Sequence, residues 1–400
     1  MNVADPSRLT VLRNGDVYTP ESIGLADVLI GGREVLAVGK LPAIPGALDM
    51  DLGGRKLVPG LVDLHTHMTG GGGEGGAETR VPPVALSSFL RAGVTTAVGL
   101  LGTDCETRSM AENLACARSL EGLGLTTFCY TGGYVVPPLT LTGSVRGDIV
   151  HVDRIIAVGE TAISDHRSSQ PTFEEIIRLA AEAHVAGMMT RKAGVLHLHL
   201  GDGPRGLELV RRAIAETELP PRVFHPTHCN RNPALWEEAR ALALLGCTVD
   251  VTAFPKDDPA LPGAPSPGAA IHQWWQLGLP AERLTVSSDG GGCLPHFDAD
   301  GVLHGMGVGT SATLLEAVTE AVALGTPFGY ALATVTLNPA RHFRLRGKGR
   351  VAVGADADLL LLGAMNGGHD GARVIDLWAG GRRLVNAGAL VVAGLFEAAP

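Results

Sequence analysis

His65 and His67 stand at positions i and i+2 of the segment VPGLVDLHTH. In an extended strand alternate side chains share a face, so both imidazoles point the same way and can share one metal ion. Two unrelated buried histidines would satisfy the same two positions, but ligand-type residues end other apolar runs as well. His197-Leu198-His199 is followed by Gly201-Asp202, and Thr227-His228-Cys229-Asn230-Arg231 closes the next run. Each can supply a further imidazole. His197 shares a face with His199, so one of the two can instead be a packing residue behind the site, and His225 can be structural. Ser287-Ser288-Asp289 precedes three glycines and places a carboxylate where it can bind metal and take a proton from water. A helix-capping aspartate is the bland alternative.

These residues need elements to position them, and eight apolar runs recur between residues 58 and 345. They are Leu61 to His67, Thr95 to Gly102, Thr126 to Tyr134, Ile156 to His166, Val195 to Gly201, Val223 to His228, Thr248 to Ala253 and Leu284 to Asp289. Most are followed by polar or glycine-rich residues and then a helical pattern, as in Thr172 to Ala186 with its N-terminal Thr and acidic first turn. Eight strand-helix units imply an α/β fold, a (β/α)8 TIM-type barrel, in which catalytic groups sit at the C-terminal ends of the strands. Residues 9 to 57 carry short β-branched runs separated by turn signals such as Asn14-Gly15 and Gly31-Gly32, which predict a small antiparallel unit. A similar texture returns at 351 to 394. The predicted organisation is therefore 1–57 and 346–400 completing one small β-sheet domain around a barrel of 58–345.

Composition narrows the function classes. The chain has 400 residues, 45% of them apolar and 18% charged, enough for a large core and too apolar for general disorder. A formal charge of -9 with no run of Lys or Arg argues against nucleic acid as a partner. The start MNVADPSRLT lacks a basic and an apolar region, and apolar stretches are broken before they reach membrane-spanning length, so neither a signal peptide nor a membrane span is expected. Six cysteines without CxxC spacing read as reduced thiols of a cytoplasmic protein.

The order of an HxH pair, an acid on the fourth run, two single histidines and an aspartate resembles the amidohydrolase superfamily. Within it the chain resembles the bacterial isoaspartyl (β-aspartyl) dipeptidases over nearly its whole length. The motifs that carry the resemblance are GLVDLHTHMTGGGGEGG, GVTTAVGLLGTD, TGGYVVP, AISDHR, THCNRNP and SSDGGG. The resemblance implies His65 and His67 on one metal, His199 and His228 on the other, Asp289 as ligand and general base toward a metal-activated water, and Tyr134 polarising the scissile carbonyl. It also implies a homo-oligomer, with an octamer as the form the family suggests. Zinc, two ions per chain, suits His-rich ligation.

An isoaspartyl dipeptide carries one ammonium and two carboxylates. Glu74 follows Gly70 to Gly73, where backbone N–H groups can approach a ligand, and the family uses this glutamate to hold the substrate amine. Arg167 and Arg231 suit two-pronged carboxylate recognition, although Arg167 can equally pair with Asp165. Gly72, Thr103 and Cys293 complete the expected substrate-binding set. Two positions depart from the family. The lysine that is usually carbamylated on the fourth strand is absent, and Val158-Gly159-Glu160-Thr161 stands there. The serine after the strand 8 glycines is Cys293. Glu160 is expected to bridge the metals without carbamylation, yet its carboxyl falls short of a lysine carbamate by roughly 3 to 4 Å. Either the strand or the metals must draw together, or one metal is held by His199 and His228 alone.

Three functions compete on this reading. The first is metal-dependent hydrolysis of β-aspartyl dipeptides. The second is another amidohydrolase reaction, deacylation of an N-acyl amino acid or a deamination, reached through different loops on a shared barrel. A non-catalytic binding relative is the third, and the retained His65, His67, His199, His228 and Asp289 argue against it.

Overall fold

The computed structural model describes residues 9–255, 261, 263–298, 302–363 and 372–397. All eight apolar runs between 58 and 345 contain a strand: β1 (Leu61–Thr66), β2 (Val94–Gly99), β3 (Thr126–Thr131), β4 (Ile155–Ile163), β5 (Leu196–Leu200), β6 (Phe224–Thr227), β7 (Val249–Thr252) and β8 (Leu284–Ser287). The first six form one curled parallel sheet in sequence order, and β7 pairs with β8 in a second parallel sheet. Between the two sheets, Cys229 N donates to Asp250 O on β7 at 3.1 Å. On the other side of β8, His67 N donates to Gly290 O at 2.8 Å, and Thr66 and Gly290 form a parallel bridge.

Every residue of β1, β2, β4 and β5 is buried, the pattern of parallel strands covered on both faces. Helices cover the outer face. The longest, α1 (Phe173–Thr190), is capped by Thr172, whose hydroxyl accepts from Glu175 N while the Glu175 carboxylate accepts from Thr172 N. It extends one turn beyond the sequence expectation of Ala186 and stops at Arg191, whose left-handed conformation (φ 61°) cannot continue the helix.

The two ends of the described chain meet in one nine-stranded sheet. Its main path runs from Ala389–Leu390 through Arg382–Asn386, Val374–Ala379, Leu359–Leu362, Lys56–Pro59, Thr10–Tyr18 and Ser22–Gly31 to Glu34–Gly39. The unit is mixed rather than antiparallel, because Thr10–Tyr18 pairs in parallel with both Leu48–Asp51 and Lys56–Pro59. Asn14-Gly15, expected as a turn, is a bulge inside one strand: Asn14 takes φ 55° and the register slips between Leu12 and Gly15. Lys348 joins this sheet to the curled one, its ammonium donating to Asp358 and to the hydroxyl of Thr126 at the start of β3. Among the described residues no helix is long and apolar enough to cross a membrane.

Candidate metal centre

Six side chains converge at the C-terminal ends of the parallel strands. His65 lies on β1 and His67 just beyond it, Glu160 is on β4, His199 on β5, and His228 and Asp289 follow β6 and β8. Glu160 is at their middle. Its Oε1 lies 3.5 Å from His65 Nε2 and 3.4 Å from His67 Nε2, and its Oε2 lies 3.1 Å from His199 Nδ1 and 3.6 Å from His228 Nε2. Asp289 Oδ1 approaches His67 Nε2 at 3.0 Å and His65 Nε2 at 3.4 Å. Three groups have the spacing to hold an ion: His65, His67 and Glu160; His65, His228 and Asp289; and Glu160, His199 and His228.

The local backbone is set for this purpose. His228 (φ 59°) and Asp289 (φ 54°) both occupy the left-handed region, a cost of order 1 kcal/mol or more that concentrates at functional sites. Asp63 on β1 is fully buried and accepts from Ser288 N, Ser288 Oγ and Ser311 Oγ, which fixes the turn carrying Asp289 against β1. Burial pushes the Asp63 carboxyl up to about 6 against those hydrogen bonds.

Electrostatics and unmet polar atoms show that a cation fits. Burial disfavours charge on Glu160, but His65 and His199 hold its carboxyl well below the usual range. Burial likewise opposes charge on His65, and Glu160 and Asp289 reverse this, raising it well above an ordinary imidazole. His65 Nε2 and Asp289 Oδ1 are buried and lack a hydrogen-bond partner among the described residues. Inward imidazoles and carboxylates with unused lone pairs match the donor set of a divalent ion such as zinc.

Above this floor opens a cavity of about 480 Å3. Of the sequence-derived residues, His67, Gly72, Glu74, Thr103, Tyr134, Glu160, Arg167, His199, Arg231, Asp289 and Cys293 line it. His65 and His228 sit beneath, 0% and 1% exposed. Gly72 takes φ 79°, and a Cβ there would run into the carbonyl of Thr79, so glycine is required. Tyr134 Oη lies 2.8 Å from His199 Nδ1. Burial, reinforced by Glu160, raises its pKa well above that of a free phenol, so it stays protonated.

Glu74 accepts from Thr103 Oγ1 at 2.8 Å and from Cys293 Sγ at 3.1 Å, and pairs with Arg167 at 3.4 Å. Arg167 does pair with Asp165, at 2.7 Å, and it lines the cavity as well. Asp165 was missed as a site residue. It also reaches His199 Nε2 at 2.9 Å, and SDHR gives no local sign of that contact across β4 and β5. Phe254 lines the cavity from a loop and His296 from the strand Cys293–Phe297, neither marked by a periodic signal in the sequence. The described lysines lie elsewhere, with Lys192 spent on three carbonyls outside the cavity; Lys256 falls outside the described residues.

Comparison with known proteins shows which families the chain is similar to. The amidohydrolase family pattern matches residues 275–384. A crystal structure of the β-aspartyl dipeptidase from Fervidobacterium islandicum AW-1 in complex with β-Asp-Leu is 41% identical, covers 97% of this chain and 100% of its own, and superposes with a TM-score of 0.89. More distant are an allantoinase from Deinococcus radiodurans, 27% identical over 88% of this chain and 86% of its own, and an imidazolonepropionase from Anaeromyxobacter sp. (strain K), 27% identical over 91% and 92%. The chain is a hydrolytic enzyme of the amidohydrolase superfamily and belongs, within it, to the family of the β-aspartyl dipeptidases.

Proposed function

We propose that the protein hydrolyses the β-aspartyl peptide bond of dipeptides in a metal-dependent reaction. The observation that carries this reading is a single cavity whose floor is a metal-ligand cluster and whose wall sets Glu74 beside Arg167, with Arg231 nearby. That charge pattern answers an ammonium and two carboxylates. The β-Asp-Leu complex of the F. islandicum enzyme supports the substrate class.

In this reading His65, His67, Glu160 and Asp289 would hold one zinc ion and Glu160, His199 and His228 a second, with no carbamylated lysine. A metal held there would supply Lewis acidity and ease the ionisation of a bound water. Asp289 takes the water's proton and returns it to the leaving amine, while Tyr134 donates its hydroxyl proton in a hydrogen bond to the developing oxyanion. Glu74 binds the substrate ammonium, exchanging part of its contact with Arg167. Arg167 and Arg231 bind carboxylates, and Gly72, Thr103 and Cys293 shape the rim. The curled sheet and the β7–β8 pair are read as two arcs of one (β/α)8 barrel of residues 58–345, with 1–57 and 346–400 forming the small sheet domain.

Zinc content measured together with turnover of β-Asp-Leu and α-Asp-Leu tests the proposal. Bound zinc with turnover of the β-linked peptide alone is expected. A zinc-loaded protein that cleaves neither peptide contradicts it.

A further inference from the structure

Behind His65 runs a line of buried polar groups that the mechanism does not use. His65 Nδ1 lies 2.9 Å from His197 Nε2, His197 Nδ1 lies 2.9 Å from His225 Nδ1, and His225 Nε2 lies 3.0 Å from Thr285 Oγ1. Thr285 Oγ1 in turn lies 2.6 Å from Asp250 Oδ1. All five residues are 0% exposed.

Two points on this line fix the direction of every hydrogen bond. His197 Nδ1 is also 3.1 Å from the carbonyl oxygen of His225, which can only accept, so the proton of His197 sits on Nδ1. At the far end, Asp250 collects the hydroxyls of Thr227, Thr285 and Ser287. The single Thr285 proton is committed to Asp250 or, at 3.4 Å, to the carbonyl of Val249, so His225 Nε2 must donate to Thr285. His225 Nδ1 is then bare and accepts from His197. His197 Nε2 is bare in turn and accepts from His65 Nδ1. His65 Nδ1 is thereby committed as the donor, so in the neutral ring the bare nitrogen is Nε2, the atom that faces Glu160 and Asp289.

We propose that Asp250, Thr285, His225 and His197 are positioning residues that lock His65 in the tautomer whose Nε2 is free to bind metal. The inference rests on the reading of His65 as a metal ligand. A ligating histidine ordinarily passes its other N–H directly to a carboxylate or carbonyl. Here a relay of two imidazoles and one hydroxyl delivers the same polarisation from a carboxylate two strands away. The rings are held in place by packing: Tyr130 stacks on His197 at 4.9 Å, and Phe343 meets His225 edge-on at 5.2 Å.

A neutron structure of the zinc-loaded protein is the direct test. Deuterium on Nδ1 of His65, Nδ1 of His197 and Nε2 of His225 is expected; deuterium on Nε2 of His197 or Nδ1 of His225 overturns the relay. Independently, Thr285→Val should weaken zinc binding about 10- to 100-fold by chelator competition, the usual effect of losing an outer partner of a ligand. Thr285→Ser, which restores the hydroxyl, should restore the affinity. Melting of the metal-free variants controls for folding. Unchanged zinc affinity in Thr285→Val, while His65→Ala loses zinc, sinks the relay and leaves the metal reading intact. Zinc retained by His65→Ala sinks the metal reading itself.

Discussion

Oε1 of Glu160 lies 3.4 Å from Nε2 of His67, so a carboxylate roughly 3 to 4 Å shorter in reach than a lysine carbamate still meets the histidine pair on β1. Its other oxygen, Oε2, faces His199 and His228, so one carboxylate stands between both histidine pairs. Glu160→Gln should therefore shed metal before it loses fold. Metal analysis beside circular dichroism checks this, and wild-type activity should not respond to added bicarbonate. Two tightly held ions with unchanged turnover in the variant would refute the bridging role.

Asp289→Asn keeps the volume and removes the carboxylate proposed as the base. We expect a folded protein whose kcat falls at least about a hundredfold, the scale of a lost general base. Steady-state kinetics on β-Asp-Leu decide it, and near-wild-type turnover would remove Asp289 from proton transfer.

Asp165 holds Arg167 through both its Nε and its terminal nitrogen. Asp165→Asn should loosen that guanidinium and raise KM for β-Asp-Leu about tenfold or more, with a smaller change in kcat. A KM that does not move would mean that Arg167 is not a substrate contact.

Much of this was legible locally. The alternation in VDLHTH placed His65 and His67 on one face, and the candidate ligands His199, His228 and Asp289 stood at or near the ends of apolar runs, whereas Glu160 stood inside one. What stayed hidden depends on partners far along the chain. Asp63 meets Ser288 and Ser311 across more than 220 residues. Leu48–Asp51 is a strand only because Thr10–Tyr18 lies beside it; its four residues carry no β-branched side chain. The hairpin of Cys293–Phe297 and Leu303–Val308, which brings His296 to the cavity, was likewise unmarked.

The buried histidines set the acid stability of the metal-free protein. Burial lowers the pKa of His197 and His225 well below 6.5 and that of His228 to about 3. As pH falls below 6.5 the unfolded chain takes up protons that the native state refuses, so stability is full above 6.5 and lost on acidification. Each histidine contributes about 1.4 kcal/mol per pH unit. Asp63, raised to about 6, acts oppositely, because between 3.8 and 6 its native form keeps a proton that the unfolded chain has lost. His65, raised by its carboxylate neighbours, is protonated in both states below 6.5 and adds no slope. His342, also lowered to about 3, adds to the loss and Asp250, raised by burial, subtracts from it, so the net is a loss of stability on acidification from pH 6 to pH 5. Urea midpoints at pH 6 and pH 5 measure it, and equal midpoints would contradict it.

Lys348 is 6% exposed and lies 2.6 Å from Asp358 and 2.7 Å from Asp356. Removing one partner of a buried pair strands the other charge, so Lys348→Met should cost about 3 to 5 kcal/mol. Chemical denaturation checks this, and a change below about 1 kcal/mol would show the pair to be dispensable.

Lys56–Pro59 is paired in the nine-stranded sheet with Leu359–Leu362 and Thr10–Tyr18, and after a single glycine the same backbone becomes β1. That hinge has no slack: a Cβ on Gly60 would strike the side chain of Thr95. The flanking sheet is thus a tether on the strand that carries His65 and His67, with no flexible leash between them. In evolutionary terms the two regions are poor candidates for independent shuffling. A graft that exchanged the flanking sheet for a relative's would alter the tension and pitch of β1, and selection on the catalytic floor would extend to residues such as Leu57 and Leu359 that never meet a substrate.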